Sequence, residues 1–277
     1  MKYNFSINTI PGNKIDLDLY SEAPSEPRSV VVIAHGFKGF KDWGFFPHAG
    51  DYFAHAGYHC VIFNFSHNGI TPGNDIFDEP EKFADNTASL ELSELIEVVR
   101  RVVSNEFCKF NGDLFIIGHS RGGGIAMLAA PHIAELTALG LWSAISYTDR
   151  FTERQKEVAR SVGYLEVPNS RTGQILRMNR SFFEDIEANK EGSLSIVKTL
   201  AKTDVPVIVV HGEVDGTVLV SEANFIYSNC KNQKSELVII PKSDHTFKMV
   251  HPSQGVSEHF AQVLEKTNNF FRIHKRG

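Results

Sequence analysis

The chain has 277 residues, of which 42% are hydrophobic and 22% are charged, and its formal net charge is -5. This composition is that of a globular protein with enough apolar residues for a large core. The slight acidic excess argues against a nucleic-acid-binding protein, whose surface normally carries many more basic than acidic side chains.

The amino terminus carries the first predicted element, a β-hairpin. Residues 3–8 and 14–20 alternate polar and apolar side chains, and Pro11-Gly12-Asn13 separates the two segments. This pattern is typical of two antiparallel strands joined by a turn.

The same amino-terminal sequence, MKYNFSINTI, lacks the apolar core of a secretory signal. No segment approaches the roughly 18 consecutive apolar residues of a membrane-spanning helix. The three cysteines are widely spaced and indicate neither a disulfide framework nor a zinc site. We therefore expect a soluble, cytoplasmic protein that binds no membrane, and the sequence leaves its oligomeric state open.

Apolar runs and helical patterns alternate after the hairpin. The runs are typical of strands buried on both faces of a parallel sheet, and they lie at 30–34, 60–65, 114–117 and 205–210, with weaker ones at 139–142 and 237–240. The helical patterns lie at 43–57, 85–104, 121–134 and 252–272. This alternation predicts one α/β domain over 1–277, with a mostly parallel sheet, helices on both faces and the hairpin as an antiparallel edge.

The segment 146–200 interrupts the alternation and is longer than a single crossover helix requires. Within it, 164–167 and 174–178 flank a turn-like sequence and predict a hairpin, and 181–189 has a helical pattern. We expect this insertion to be a cap or lid over one end of the sheet. Phe182 and Phe183 then either line an acyl pocket or anchor the cap, and the sequence favours neither alternative.

A predicted strand and a predicted helix flank Gly118-His119-Ser120-Arg121-Gly122. A nucleophile at such a sharp strand-to-helix turn projects its hydroxyl into the open, and only small residues on both sides allow the turn to close. The amino end of the following helix also favours negative charge at this point. The pattern predicts Ser120 as a nucleophile.

A serine nucleophile needs a base, and the base needs a partner that orients it. Asp215 follows the predicted strand at 205–210, and His245 follows the one at 237–240. Both therefore lie at the edge of the sheet where α/β proteins bind ligands. We expect His245 to be the base and Asp215 its partner, with Glu213 and Asp244 as alternative acids.

Two backbone amides are needed to stabilise the oxyanion that forms when a serine attacks a carbonyl group. We expect them to come from Arg121, directly after the nucleophile, and from Phe37 in the sequence His35-Gly36-Phe37. His35 is expected to brace that loop through a hydrogen bond. His119 and His211 are interpreted as structural residues.

Four further histidines could suggest a metal site: His48, His55, His59 and His67. Their spacing lacks the close pair of ligands on one helical face that a zinc site favours. We predict neither a metal nor a cofactor.

The motifs above occur in the order His35-Gly36-Phe37, Gly118-x-Ser120-x-Gly122, His211-Gly212-x-x-Asp215 and Asp244-His245. In this order they resemble the α/β-hydrolase superfamily, in the style of bacterial cinnamoyl and feruloyl esterases and serine-peptidase-like hydrolases. The resemblance implies an eight-stranded, mostly parallel sheet, a Ser-His-Asp triad, no cofactor and hydrolysis of an ester or related acyl bond. The loop 64–69 departs from the Asp-x-Arg-Gly-x-Gly pattern of many relatives, so those relatives do not indicate the substrate.

The resulting hypothesis is a serine hydrolase that cleaves a small-molecule acyl substrate, a carboxylic ester, through an acyl-enzyme. A peptidase or a thioesterase could use the same residues. A ligand-binding protein without catalytic activity is the alternative from a different class, because a fold does not determine a function.

Overall fold

The computed structural model describes residues 1–9 and 12–276. The strands in this part of the chain are β1 (Lys2–Asn8), β2 (Lys14–Tyr20), β3 (Arg28–Ala34), β4 (His59–Phe63), β5 (Phe110–His119), β6 (Leu136–Trp142), β7 (Tyr164–Pro168), β8 (Ile175–Asn179), β9 (Val207–Gly212) and β10 (Glu236–Ile240). The α-helices are α1 (Phe46–His55), α2 (Pro80–Asp85), α3 (Ala88–Val103), α4 (Arg121–Ala129), α5 (Glu153–Val162), α6 (Arg180–Asn189), α7 (Ile196–Leu200), α8 (Val220–Ser228) and α9 (Glu258–His274).

Eight of the strands form one sheet in the order β1-β2-β4-β3-β5-β6-β9-β10. The strands from β4 to β10 pair in parallel, whereas β2 pairs antiparallel with both β1 and β4. The predicted α/β class, the antiparallel edge and the eight-stranded sheet are therefore confirmed. Pro11 of the predicted first turn lies outside the described residues.

The central strands are buried on both faces, as their continuous apolar sequences predict. In β3, Val30 and Val32 pack into the core beneath α3 and α4, and Val31 and Ile33 pack into a second core beneath α1 and α9. All four valine and isoleucine side chains are completely buried. Burial on both faces keeps the sheet edge that carries the functional loops rigid.

The helices differ from the predicted ranges where capping residues or prolines intervene. The helix predicted at 85–104 is α3, which begins only after Thr87 because the Thr87 side chain caps it by accepting a hydrogen bond from the amide of Leu90 at 3.1 Å. Helix α4 ends at Ala129 because Pro131, which has no amide hydrogen, follows in a short 3-10 turn. Helix α9 begins only after Ser257, which caps it.

The insertion between β6 and β9 contains α5, a hairpin of β7 and β8, then α6 and α7. The hairpin predicted within 164–178 and the helix predicted at 181–189 are present. The side chain of Gln174 fixes the hairpin to the body of the protein, because it accepts from the amide of Phe77 at 2.9 Å and donates to the Phe77 carbonyl at 2.8 Å.

Within the described ranges, no helix combines the length and the apolar character needed to cross a membrane.

Candidate active site

Ser120 lies between β5 and α4 with φ 56° and ψ -120°, a conformation that is costly for a residue with a side chain. The neighbouring glycines allow it. A Cβ atom on Gly118 would lie 2.3 Å from the carbonyl oxygen of Gly122, and one on Gly122 would lie 2.4 Å from that of Ala34. The turn therefore closes only because both positions are glycine, as the five-residue pattern predicts.

Asp215 follows β9 and His245 follows β10, and these neighbouring parallel strands bring the two side chains together. Nδ1 of His245 lies 2.7 Å from Oδ2 of Asp215. The other carboxylate oxygen of Asp215, Oδ1, accepts from the amides of Thr217 and Val218 at 2.8 and 2.9 Å. The carboxylate is therefore fixed from two sides and directs one oxygen at the histidine.

The charge of Asp215 is stabilised although its side chain is completely inaccessible to solvent. Burial alone would raise the pKa of this carboxyl group, but hydrogen bonds from His211 and His245 and from the Val218 amide outweigh it. The pKa of Asp215 consequently lies well below its usual range, and the group is an anion at neutral pH.

His211 supports Asp215 from behind. Its Nε2 atom lies 2.9 Å from the Val218 carbonyl oxygen and 3.3 Å from Oδ2 of Asp215. The bond to the turn agrees with the structural role that the sequence indicates. The contact with the carboxylate is not evident from the sequence, because the strand-end position of His211 shows neither the direction of its ring nor the path of the next loop.

The two alternative acids bond elsewhere. Glu213 is exposed, and its Oε2 accepts from the amide of Lys242 at 2.8 Å. Asp244 accepts from the amide of Lys248 at 2.8 Å and pairs with the ammonium group of the same residue at 3.3 Å. Of the three candidate acids, all of them in the described part of the chain, Asp215 alone is hydrogen-bonded to His245.

Two buried histidines next to the site are neutral. Burial lowers the pKa of His119 to about 3 and that of His35 to about 4. His119 donates from Nε2 to the carbonyl oxygen of His245 at 3.0 Å and so supports that loop. Because Nε2 of His35 accepts from the amide of Phe65 at 3.2 Å, its proton is on Nδ1, which donates to the Gly36 carbonyl at 2.9 Å.

The amides of Phe37 and Arg121 flank Ser120 on different segments. Gly36 packs so closely against Ser120 that a Cβ atom on Gly36 would lie 2.8 Å from Cβ of Ser120. The Phe37 amide donates to no described residue, and Arg121 is the first residue of α4, where an amide has no partner within the helix. Both donors are therefore free for a ligand.

The side chain of Arg121 has a role that the sequence does not reveal. Its guanidinium carbon lies 4.1 Å from the ring centre of Phe37 and 5.0 Å from that of Phe182, so it packs between the loop after β3 and the insertion. It also pairs with the buried Glu91 at 3.3 Å. A motif search considers only the backbone amide of this residue, and the partners lie far apart in the sequence.

Two cavities meet at Ser120. The larger, about 300 Å³, is mainly apolar, and its walls include Ile125, Ile145, Phe151, Phe182 and Ile186. The smaller, about 230 Å³, extends towards Trp43, Phe46, Asn169, Arg171 and Thr246. Ser120, His245, Phe37 and Lys38 line both cavities.

The two phenylalanines predicted for the pocket have different positions. Phe182 lines the larger cavity, whereas the described lining does not include Phe183. Phe183 packs behind it, with ring centres 5.7 Å from Phe182 and 5.0 Å from Phe151. Both are buried, so Phe182 faces the cavity and Phe183 supports it.

Ser120 Oγ makes no hydrogen bond within the described residues, although it shares both cavities with His245. The hydrogen bond between a serine nucleophile and its histidine is often long without a substrate and shortens when one binds. No other described residue hydrogen-bonds to Oγ of Ser120, so none competes with His245 for it.

The four remaining histidines bond locally. Ring nitrogens of His48, His55, His59 and His67 lie within 2.7 to 3.0 Å of oxygen atoms of Ser253, Asp51, Ser21, Glu26 and Ser66. In the part of the chain that the structure describes, no group of three or more His, Cys, Asp or Glu residues could hold a metal ion.

Comparison with solved structures identifies the fold. Est1E from Butyrivibrio proteoclasticus has a TM-score of 0.70 and 20% identity over 98% of both chains. A structure of Est1E with ferulic acid bound has a TM-score of 0.68 and 21% identity, over 94% of this chain and 96% of that one. DcsB in complex with its substrate analogue has a TM-score of 0.78 and 14% identity, over 99% of this chain and all of that one.

A soluble variant of monoglyceride lipase from Saccharomyces cerevisiae, in complex with a substrate analogue, has a TM-score of 0.73 and 16% identity. The similarity covers the whole of this chain and 96% of the lipase chain. At such identities these likenesses establish the α/β-hydrolase fold and leave the substrate open.

Comparison of the sequence with family models is more specific. No curated protein matches the chain. Residues 25–190, which include β3, the turn at Ser120 and most of the insertion, match the family described as serine aminopeptidase, S33. The predicted resemblance is thereby confirmed, and the chain belongs to this serine aminopeptidase S33 family of α/β-hydrolases.

Proposed function

We propose that the protein hydrolyses carboxylic esters of small to medium size through an acyl-enzyme on Ser120. The observation that supports this proposal most strongly is the 2.7 Å contact between Asp215 and His245. His245 lines the same cavity as Ser120, whose backbone is held in a strained turn. A strained nucleophile position and a buried, fixed carboxylate serve catalysis, and a protein that only binds a ligand needs neither.

The hydrogen bond from Nδ1–H of His245 to Asp215 determines the direction of proton transfer. It leaves the lone pair on Nε2, which removes the proton of Ser120 as Oγ attacks the acyl carbonyl carbon. The amides of Phe37 and Arg121 stabilise the oxyanion. The imidazolium, stabilised by Asp215, then protonates the leaving alcohol, and a water molecule repeats the same steps on the acyl-enzyme.

The lining of the cavities favours an ester over the peptide that the family description suggests. An aminopeptidase must accommodate the ammonium group of its substrate, for which a carboxylate is the natural partner. The described lining of both cavities contains Lys38, Arg121, Arg150 and Arg171 and no acidic side chain. A thioester could use the same residues and is the second candidate, since the larger cavity is apolar enough for an acyl chain.

Ser120→Ala should reduce ester turnover by about six orders of magnitude, to near the uncatalysed level, because no other group can form the acyl-enzyme. Turnover of an activated acetate ester, with circular dichroism to verify the fold, measures the effect. Retention of a tenth of the wild-type activity would contradict the assignment of the nucleophile.

Asp215→Asn should reduce turnover by about three to four orders of magnitude, because the amide no longer holds the proton on Nδ1 of His245. Glu213→Gln and Asp244→Asn are matched controls, since neither side chain bonds to His245, and both should change the rate far less. If either control proved more damaging than Asp215→Asn, the acid would be wrongly assigned.

Phe182→Ala should change the preference between aryl esters and short-chain esters by about tenfold, the value of a lost contact in an apolar pocket. Phe183→Ala is the matched control, because it removes an equal side chain from behind the wall and should affect stability more than preference. Relative kcat/KM values on a small ester panel measure the ranking. An unchanged ranking in both variants, or an equal loss on all esters, would show that the insertion plays no part in selecting the substrate.

A further inference from the structure

Two cations line the smaller cavity without a carboxylate partner. Lys38 donates from Nζ to the carbonyl oxygen of Pro168 at 2.6 Å, and Arg171 donates from Nη1 to the carbonyl oxygen of Asp75. Neither side chain pairs with any carboxylate among the described residues, and Nη2 of Arg171 is buried with no partner there. The carboxylate of Asp75 instead pairs with His251 at 3.0 Å.

Lys38 also lines the larger cavity, whereas the two cations that line only the larger cavity are paired. Arg121 pairs with Glu91 at 3.3 Å, and Arg150 pairs with Glu222 at 2.7 Å. Their charges are therefore compensated within the protein. Of the two cations without a carboxylate partner in the described part of the chain, Lys38 lies where the cavities meet and Arg171 lines the smaller cavity alone, so both unpaired cations face the smaller cavity.

Both uncompensated cations are partly removed from water. Lys38 and Arg171 are half-buried, and burial lowers the pKa of each below its usual value. The carboxylate of Asp75 attracts Arg171 from a distance, but no carboxylate among the described residues pairs with either cation. A partly desolvated cation without such a contact is unfavourable, and an anion placed beside it restores the lost interaction. Lys38 bonds to Pro168 at the end of β7, and Arg171 lies in the turn between β7 and β8. Both side chains line the smaller cavity, so an anion in that cavity faces both cations.

The position of the smaller cavity indicates which part of a substrate enters it. His245 lines both cavities, but Thr246, which follows it, and His119, which supports its loop, line the smaller cavity alone. The leaving alcohol must lie next to His245, because that residue protonates it. The acyl group is then left with the larger, apolar cavity under Phe182.

From these observations we propose that the smaller cavity binds the alcohol part of the substrate and that this part carries a carboxylate. The substrate class is then an ester of a hydroxycarboxylic acid or a phenolic carboxylic acid. Hydrolysis breaks the acyl C–O bond, adds the hydroxyl of water to the acyl carbon and gives the leaving oxygen the proton from His245. The carboxylate binds Lys38 and Arg171, and the apolar body of the alcohol packs against Trp43. This inference rests on the proposed ester hydrolysis.

Two pairs of synthetic esters test it. In the first pair, 4-(carboxymethyl)phenyl acetate is compared with the corresponding carboxamide, so that the leaving phenols differ in charge and little else. The wild-type kcat/KM should be about tenfold higher for the carboxylate at low ionic strength, and added salt should reduce this ratio because partly exposed charges are screened. In the second pair, the monophenyl ester of hexanedioic acid and its carboxamide carry the same difference on the acyl side, where a much smaller ratio is expected because Arg171 lines only the smaller cavity.

Variants assign the preference to the two side chains. Lys38→Met and Arg171→Met should each lower the ratio of the first pair by threefold or more, and Arg171→Lys should retain part of it. The matched control is Arg177→Met, which removes an exposed guanidinium from β8 of the same hairpin, where it lies 4.3 Å from the ring centre of Tyr164. This control should keep the wild-type ratio. Because each value is a ratio of two substrates, a general loss of activity in a variant cancels.

Three results would overturn the inference. They are a wild-type ratio near one, a preference for the carboxylate that is equal or larger on the acyl side, and an equal decrease in Arg177→Met. If the carboxamide ester is hydrolysed and Ser120→Ala abolishes this turnover, a ratio near one removes only the inference about the carboxylate. If none of the four esters is hydrolysed, the proposed ester hydrolysis fails with it.

Discussion

The strained backbone at Ser120 is the constraint on which the rest of the site depends. Ser120 has a positive φ, and the turn around it closes only because Gly118 and Gly122 have no side chains. The carbonyl group of Gly122 packs against Gly118, and that of Ala34 packs against Gly122. The strain is held by β5 and α4, which are both packed into the core. The hydroxyl is therefore positioned by the whole sheet, and the loops after β3, β9 and β10 need only reach it.

The charged and the neutral groups of the site are clearly separated. Asp215 is a buried anion held by two amides and two histidines, while His35 and His119 are buried and neutral and serve as fixed hydrogen-bonding groups. This arrangement leaves His245 as the histidine in contact with both the anion and the cavities. The cations that line the cavities are Lys38, Arg121, Arg150 and Arg171, and among the described residues Lys38 and Arg171 form no ion pair with a carboxylate.

Much of this architecture could be predicted from the sequence. Continuous apolar runs predict strands such as β3 and β9, because burial on both faces requires them, and Gly-x-Ser-x-Gly after a strand predicts the turn at Ser120. The choice of Asp215 over Glu213 and Asp244 could not be settled in this way. It depends on which loop side chain meets His245, and three acids within two loops have the same local sequence character.

The side-chain contacts between distant segments were beyond any local pattern. Arg121 packs between Phe37 and Phe182, which are far from it in the chain. His211 contacts Asp215, but the sequence pattern does not show the direction of its ring. The division of the site into two cavities likewise depends on residues from distant segments. The start of α3 differs from the predicted start at residue 85 for another reason: apolar periodicity does not show that the Thr87 side chain caps the helix through a hydrogen bond from the Leu90 amide.

Mass spectrometry after treatment with a fluorophosphonate tests the central claim most directly, because the reagent reacts with a serine only where a base and oxyanion donors activate it. The geometry predicts one adduct, on the peptide that contains Ser120, formed much more slowly in Asp215→Asn. A protein that remains unlabelled, or that carries its adduct on another residue, would show that Ser120, His245 and Asp215 are not a working triad.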